Sequence, residues 1–211
     1  MPTYKFFYYD GRARGEPVRM LFALANQKFE DIRFQVEGEE WKKAKSDKKR
    51  FPFGAIPVLD VSGRLIAQSR AIYRYLAREF GYYGSNNWES TEIDEFLGIM
   101  SDFETAIRPA YLEKDAAKRT ADLLKARDTT LKHFFEFFVE KLQKGGGKYY
   151  VGNKISLADL LVFNLLDVFL NSALQVDGYL DPYPSLVKYY QSIKSDSPLS
   201  SYLKTRKVTP L

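Results

Sequence analysis

A proline directly before a short apolar run is the feature that most constrains how this chain folds. Residues 51–76 read FPFGAIPVLDVSGRLIAQSRAIYRYL. Pro57 has no N–H, and proline within sheets is confined to edges, bulges or the first residue of a strand, so we predict a strand beginning at Val58. Bonds that precede proline are also the ones that adopt the cis form, which makes the Ile56–Pro57 bond a candidate.

The residues after this strand predict a hairpin followed by a helix. The dipeptide Ser-Gly at 62–63 is a turn signal, and residues 64–67 are short and apolar enough to return antiparallel. Apolar residues then recur at helical spacing from 72 to 80, so Ser69 lies at or beside a helix N-cap. The N–H groups of a helix N-terminus can bind a small carboxylate. The stretch is therefore either a pocket for a small anionic peptide or an ordinary hairpin with a capped helix.

Composition excludes several kinds of site. The chain of 211 residues has no cysteine and one histidine, His133. Disulfides, thiolate metal sites and a cysteine nucleophile are therefore excluded, and a Ser-His triad is disfavoured. The net charge of +5 would suit nucleic acid, but the charge is mixed along the chain apart from the basic run at 41–50. We expect no nucleic-acid partner.

Hydropathy predicts a cytoplasmic protein that does not enter membranes. The N-terminus lacks the apolar region and cleavage site of a signal peptide. The most apolar stretch, 157–170, is interrupted by Asp159, Asn164 and Asp167, which argues against a transmembrane span.

The first eighty residues predict strands and helices in the order βαβαββα. An aromatic strand at 4–9 precedes a helix from Glu16 to Asn26, and residues 29–36 alternate as a strand does. Residues 39–48 form a short polar helix or an irregular segment, and the hairpin and its helix follow. This is the order of a thioredoxin-like domain. Because the redox C-x-x-C motif is absent, any thiol must come from a ligand.

The remainder predicts only helices. The turn-rich segment GYYGSNN divides the chain into a domain at 1–80, a linker at 81–87 and a domain at 88–211. Helices are expected at 88–116 with a kink at Pro109, and at 119–143, 157–169, 185–195 and 198–204. Ser156 opens the third with an S-x-x-D capping box. The predicted fold class is α+β, a thioredoxin-like domain plus an all-α domain.

Taken together, these motifs resemble the cytosolic glutathione transferases, most of all the sigma class with its nematode sigma-like members. The resemblance covers nearly the whole chain and rests on four segments in the right order: YKFFYYDGRARGE, PFGAIPVL followed by AQSRAIYRYLA, VGNKISLADLL and YLKTRKVTPL. It implies a homodimer that conjugates glutathione, its co-substrate, to small hydrophobic electrophiles held in the cleft between the two domains. It also implies no bound metal, because Gly98, Ser101 and Asp102 replace an acidic cluster of some relatives.

The resemblance assigns Tyr8 as the catalytic residue. The glutathione-binding residues that it implies are Tyr8, Arg14, Trp41, Lys45, Ala55, Ile56, Pro57, Gln68, Ser69 and Asp102. The electrophile-binding residues expected from their position are Tyr9, Arg14, Phe103, Ile107, Tyr111, Phe163 and Leu211. Two departures concern the site: Ala13 stands where the family usually has glycine, and the loop between Lys45 and Pro52 is longer than in vertebrate prostaglandin-isomerising members.

Several alternatives stay open from the sequence. The same thiolate could reduce lipid hydroperoxides or isomerise a prostanoid. The protein could instead be a ligandin, a non-catalytic carrier of haem and other planar apolar molecules; a lens-crystallin role is disfavoured by the complete set of site residues. Phe53 either inserts into a partner subunit or packs in the core.

Overall fold

A computed structural model describes residues 2–172, 175–195 and 199–209 of the chain. The chain divides into two units. One contains residues 1–82 together with 201–211, and the other contains residues 83–200. The described residues 201–209 therefore belong with the sheet-containing unit, whereas the sequence analysis placed all of 88–211 in the helical domain.

The first unit is built around a four-stranded sheet. Its elements are β1 (Tyr4–Tyr9), α1 (Glu16–Leu24), β2 (Glu30–Phe34), α2 (Glu39–Ala44), β3 (Val58–Val61), β4 (Arg64–Ala67) and α3 (Ser69–Glu79). The strand order is β2-β1-β3-β4, in which β1 and β2 are parallel and the other neighbours are antiparallel. The expected thioredoxin-like order is confirmed, including the short polar helix left open at 39–48.

The register of the sheet aligns the ends of three strands. Phe7 of β1 lies opposite Val58 of β3, which lies opposite Ala67 of β4. The next residues in the same register are Tyr8, Pro57 and Gln68. Neighbouring strands are about 4.8 Å apart, so these three residues lie side by side at the same end of the sheet. The Ile56–Pro57 bond is cis, as expected.

An aromatic cluster packs α2 and the segment after it onto one face of the sheet. Its buried members are Phe7, Phe34, Trp41, Phe51 and Val58. The Trp41 ring centre lies 5.2 Å from that of Phe51 and 5.3 Å from that of Phe34. Burying each large side chain contributes about 1.5–3 kcal/mol. The cluster thereby anchors the long loop that leads to Pro57.

The second unit is helical. Its elements are α4 (Asn87–Tyr111), α5 (Ala116–Asp128), α6 (Lys132–Lys144), α7 (Leu157–Asn171) and α8 (Pro184–Ser195), and α9 (Leu199–Thr205) leads back to the first unit. None of the helices among the described residues is long and apolar enough to cross a membrane.

Two helix boundaries predicted from the sequence are wrong. The helix predicted at 88–116 ends at Tyr111, because Asp115 caps a new helix by accepting the Lys118 N–H at 2.7 Å. The helix predicted at 119–143 is two helices, since the backbone leaves the helical region at Thr129. Pro109 lies in the last turn of α4, which continues two residues beyond it.

The predicted capping box of α7 is confirmed, and it is part of a buried polar cluster. Asp159 is fully buried and accepts from the Ser156 N–H at 2.8 Å and the Ser156 hydroxyl at 2.7 Å. It also accepts from the Tyr150 N–H at 3.0 Å and the Tyr189 hydroxyl at 2.8 Å. Burial raises the pKa of Asp159 to about 6, although all four donors favour its charged form. One carboxylate therefore joins α7, α8 and the segment before α7.

We predict that Asp159→Ala lowers the unfolding free energy by about 3 kcal/mol or more, because four buried donors lose their acceptor. Urea denaturation followed by circular dichroism measures the loss. Asp177→Ala in the same unit, at an exposed position, is the matched control. Equal losses in the two variants would contradict this account of the cluster.

Candidate active site

Tyr8 is held rigidly near the end of β1. Its side chain is 6% exposed. The ring stacks on Phe6, with centres 6.0 Å apart and an interplanar angle of 18°, and it lies 5.6 Å from the Tyr9 ring. Because two aromatic neighbours pack against the ring, the position of the phenol follows from the position of the strand.

The turn at Ala13–Gly15 closes against the Tyr8 ring, and only glycine permits this approach. A Cβ added at Gly15 would lie 2.9 Å from Cε1 of Tyr8, nearer still to Cδ1, and 3.0 Å from Nη1 of Arg19. Cβ atoms essentially never come so close to other heavy atoms. The absence of a side chain at Gly15 therefore lets the turn fix the ring.

Arg19 is a buried cation beside Tyr8 that the sequence reasoning missed. It is 1% exposed, and its guanidinium carbon lies 6.0 Å from the Tyr8 ring centre. It donates to the carbonyl of Gly11 at 2.6 Å and to Asp31 at 3.0 Å. The signal in the sequence was Glu16, an opposite charge three residues earlier on a helix that is otherwise apolar. Arg19 thus fixes the backbone that follows Tyr8.

The backbone of Arg14 is fixed from α3, while its side chain is exposed. The hydroxyl of Tyr73 in α3 donates to the Arg14 carbonyl at 2.6 Å. The preceding residue, Ala13, has φ of +33°, a conformation that favours glycine. The conformation is consistent with the glycine that the glutathione transferases, which the sequence resembles, usually have at this position. Tyr73 was read only as an apolar helix position, so its positioning role was also missed.

The N-terminus of α3 carries the features expected of an anion site. Ser69 is the first helical residue and is 6% exposed. The Gln68 carbonyl accepts the N–H groups of Ala71 at 3.0 Å and Ile72 at 3.1 Å, so the Ser69 N–H precedes the hydrogen bonds of the helix. Gln68 itself has φ of +75° and ψ of 116°. Such backbone strain concentrates at functional sites.

The residues expected at the glycyl end of glutathione differ in their surroundings. Trp41 is 5% exposed and belongs to the aromatic cluster. Lys45 is exposed just after α2, and the Lys48 ammonium, in the longer loop, would lie 2.9 Å from a Cβ added at Gly54.

The residues expected at the cysteinyl part of glutathione directly precede β3. Ala55 is exposed. Ile56 is half-buried against the cluster, and buried Pro57 follows it.

The site residues predicted in the second unit differ in how exposed their side chains are. Asp102 is exposed on α4, while Ile107 is buried and Tyr111 is half-buried, with its pKa raised by burial. Phe103 and Phe163 are 1% and 0% exposed.

These two phenylalanines pack in the core of the helical unit. The Phe103 ring lies 5.4 Å from that of Phe134, and the Phe163 ring stacks on Tyr190 at 5.0 Å. We therefore remove both from the electrophile set. Leu211 lies outside the described residues.

Phe53 resolves one alternative. It is 67% exposed, so the interpretation as a buried core phenylalanine is wrong.

Within the described ranges, no group of three or more histidine or acidic side chains could hold a metal ion.

The comparisons with known proteins agree with this fold. The family model of the glutathione S-transferase N-terminal domain matches residues 4–78, and that of the C-terminal domain matches residues 101–206. "Probable glutathione S-transferase 7" of Caenorhabditis elegans is 36% identical over 215 residues and covers 100% of both chains. S-crystallin SL11 of Nototodarus sloanii is 32% identical over 212 residues, covering 99% of each.

Two solved structures extend the likeness to three dimensions. The sigma class glutathione transferase of Fasciola hepatica has a TM-score of 0.86 at 31% identity, covering 100% of this chain and 99% of the other. Monomeric Na-GST-3 of Necator americanus has a TM-score of 0.86 at 33% identity, covering 99% and 100%. The chain belongs to the glutathione S-transferase family, whose members use glutathione as co-substrate.

We predict that Gly15→Ala lowers kcat for conjugation by tenfold or more, because the added methyl group displaces the Tyr8 ring, and a shift of about 1 Å at a reacting group can cost 10²-fold. An aryl-halide conjugation assay measures the loss. Gly98→Ala is the control, since a Cβ at Gly98 meets nothing within 4 Å. Unchanged turnover in Gly15→Ala would show that the close contact does not set the ring.

Proposed function

We propose that this protein conjugates the thiolate of glutathione to small hydrophobic electrophiles and that Tyr8 stabilises the thiolate. The observation that carries the proposal is the sheet register, which aligns Phe7, Val58 and Ala67. We infer that the residues next to them in the chain, Tyr8, Pro57 and Gln68, form one row at the end of the sheet. Two strand spacings of about 4.8 Å span about 10 Å. An extended tripeptide is about as long, at roughly 3.3–3.6 Å per residue.

Each part of this row offers a different group to the tripeptide. The strained turn at Gln68 and the helix start at Ser69 suit the carboxylate of the γ-glutamyl residue. The backbone before Pro57 can pair with an extended peptide as a strand edge does. Tyr8 then faces the sulfur. At the glycyl end, Trp41 and Lys45 remain the proposed contacts.

The chemistry requires an ionised thiol. A free thiol has a pKa of about 8.5, so only a few per cent is thiolate at neutral pH. Lowering that pKa by about two units requires about 2.7 kcal/mol of preferential stabilisation of the anion. A hydrogen bond donated by the Tyr8 hydroxyl favours the charged sulfur, and the positive potential of Arg14 adds to it. The phenol acts here as a hydrogen-bond donor.

The electrophile site remains a proposal from position. Tyr9, Arg14, Ile107 and Tyr111 are retained for it. Asp102 is retained for the amine of glutathione. The family relationship supports a cytoplasmic location.

We propose a homodimer in which Phe53 inserts into the partner subunit. The Phe53 side chain is 67% exposed on the loop before Pro57, so its ring is available to contact a partner. Na-GST-3 is described as monomeric, so assembly is not uniform among these relatives.

Tyr8→Phe is predicted to lower kcat/KM for an aryl halide by roughly 50-fold near pH 6.5 and by far less above about pH 9, because the thiol pKa returns toward its free value. Calorimetry should show that glutathione binding survives. Tyr9→Phe is the control, one residue away. Normal turnover in Tyr8→Phe would refute the role, and glutathione retention without turnover in the wild-type protein would favour a carrier.

Phe53→Ser is predicted to shift the protein from dimer to monomer in size-exclusion chromatography with light scattering. Val36→Ser is the control, because Val36 is 66% exposed in the same unit. A wild-type protein that is already monomeric, or a Phe53→Ser variant that stays dimeric, would contradict the assembly proposed here.

A further inference from the structure

The end of the chain lies against the loop that follows Tyr8. We call residues 201–209 the C-terminal strap and residues 10–16 the Tyr8 loop. Both belong to the first unit. They are nearly 200 positions apart in sequence, yet polar contacts join them at both ends of the loop.

At the far end of the loop, the strap supplies partners for a buried charge. Glu16 is 2% exposed. Its Oε1 accepts from the Tyr202 hydroxyl at 3.0 Å and from Nη1 of Arg206 at 2.9 Å. Its Oε2 lies 3.7 Å from Nη1 of Arg19. A buried carboxylate that loses its partners is strongly destabilised, so the position of Glu16 depends on the strap.

At the near end, the strap holds two more residues of the loop. Buried Arg12 donates from Nη2 to the Thr209 carbonyl at 3.3 Å. The Lys207 ammonium pairs with Asp10, and this contact, together with Arg33, holds the pKa of Asp10 below its usual value. The strap therefore fastens the loop on both sides of Arg14.

The same contacts reach the Tyr8 ring through two neighbours. Gly15, whose backbone touches the ring, directly precedes Glu16. Arg19, which lies over the ring, is also the internal ion-pair partner of Glu16. A change in how Glu16 is held is thus transmitted to the two groups that fix Tyr8.

We propose that Arg206 and Tyr202 are positioning residues, through which the C-terminal strap sets the Tyr8 loop for thiolate stabilisation. The inference rests on the proposed function of Tyr8. It extends that function by assigning part of the chemistry to the opposite end of the chain. A strap that only adds stability would lower the melting temperature and leave the pH dependence of catalysis unchanged.

The test compares Arg206→Met, Arg206→Lys and Tyr202→Phe with Lys204→Met. The Lys204 side chain is exposed on α9, between the other two positions. The first readout is hydrogen exchange of the amides at 10–16, which needs no substrate. We expect faster exchange in Arg206→Met than in wild type, an intermediate rate in Tyr202→Phe, and wild-type rates in Arg206→Lys and Lys204→Met.

The second readout is the pH profile of kcat/KM for conjugation. We expect Arg206→Met to move the acidic limb upward by about half a pH unit, a roughly threefold loss on that limb that disappears at high pH. Arg206→Lys should retain the wild-type profile. Tyr202→Phe removes a single hydroxyl. If Arg206→Met does not fold, the exchange rates and pH profile of Tyr202→Phe are compared with those of the wild type instead.

Unchanged exchange at 10–16, or an unchanged pH profile with only a lower melting temperature, would overturn the inference while leaving Tyr8 chemistry intact. A wild-type protein that neither binds nor conjugates glutathione would instead overturn the proposed function. In that case the exchange comparison still decides whether the strap holds the loop.

Discussion

The contact between the Tyr8 ring and the backbone of Gly15 is the constraint on which the site depends. It exists because residue 15 has no Cβ and because buried Arg19 binds the backbone that follows the strand. A phenol that donates a hydrogen bond to a sulfur atom is most effective when it is fixed before the thiol binds. A mobile hydroxyl would have to be ordered first, and the ordering would cost part of the stabilisation. The turn after β1 provides that fixation within one short stretch.

The rest of the first unit gives this phenol its context. The sheet register aligns the end of β1, where Tyr8 lies, with the ends of β3 and β4. After β4, the strained residue Gln68 directly precedes the N-terminus of α3. In the function proposed above, these groups would bind the three parts of a thiol-containing tripeptide, because the chain itself has no cysteine. The ligand would then supply the thiol, and the protein would supply alignment and charge stabilisation.

Local signals in the sequence predicted most of this arrangement. Pro57 marked the strand start, and the S-x-x-D pattern marked α7, because both act through neighbouring backbone. Contacts between distant segments were not predictable in the same way. Arg19 was not singled out from the sequence, and its partner Glu16 is itself held by a strap from the other end of the chain. Phe103 was placed in a cleft, since position along a helix does not reveal that neighbouring aromatic rings enclose it.

The most direct test of the account is a pH titration of glutathione bound to the wild-type protein, followed by the ultraviolet absorbance of the thiolate. The account predicts that the bound thiol titrates about two pH units below its free value of about 8.5. A bound thiol that titrates at its free value would contradict the claim that this site stabilises the anion.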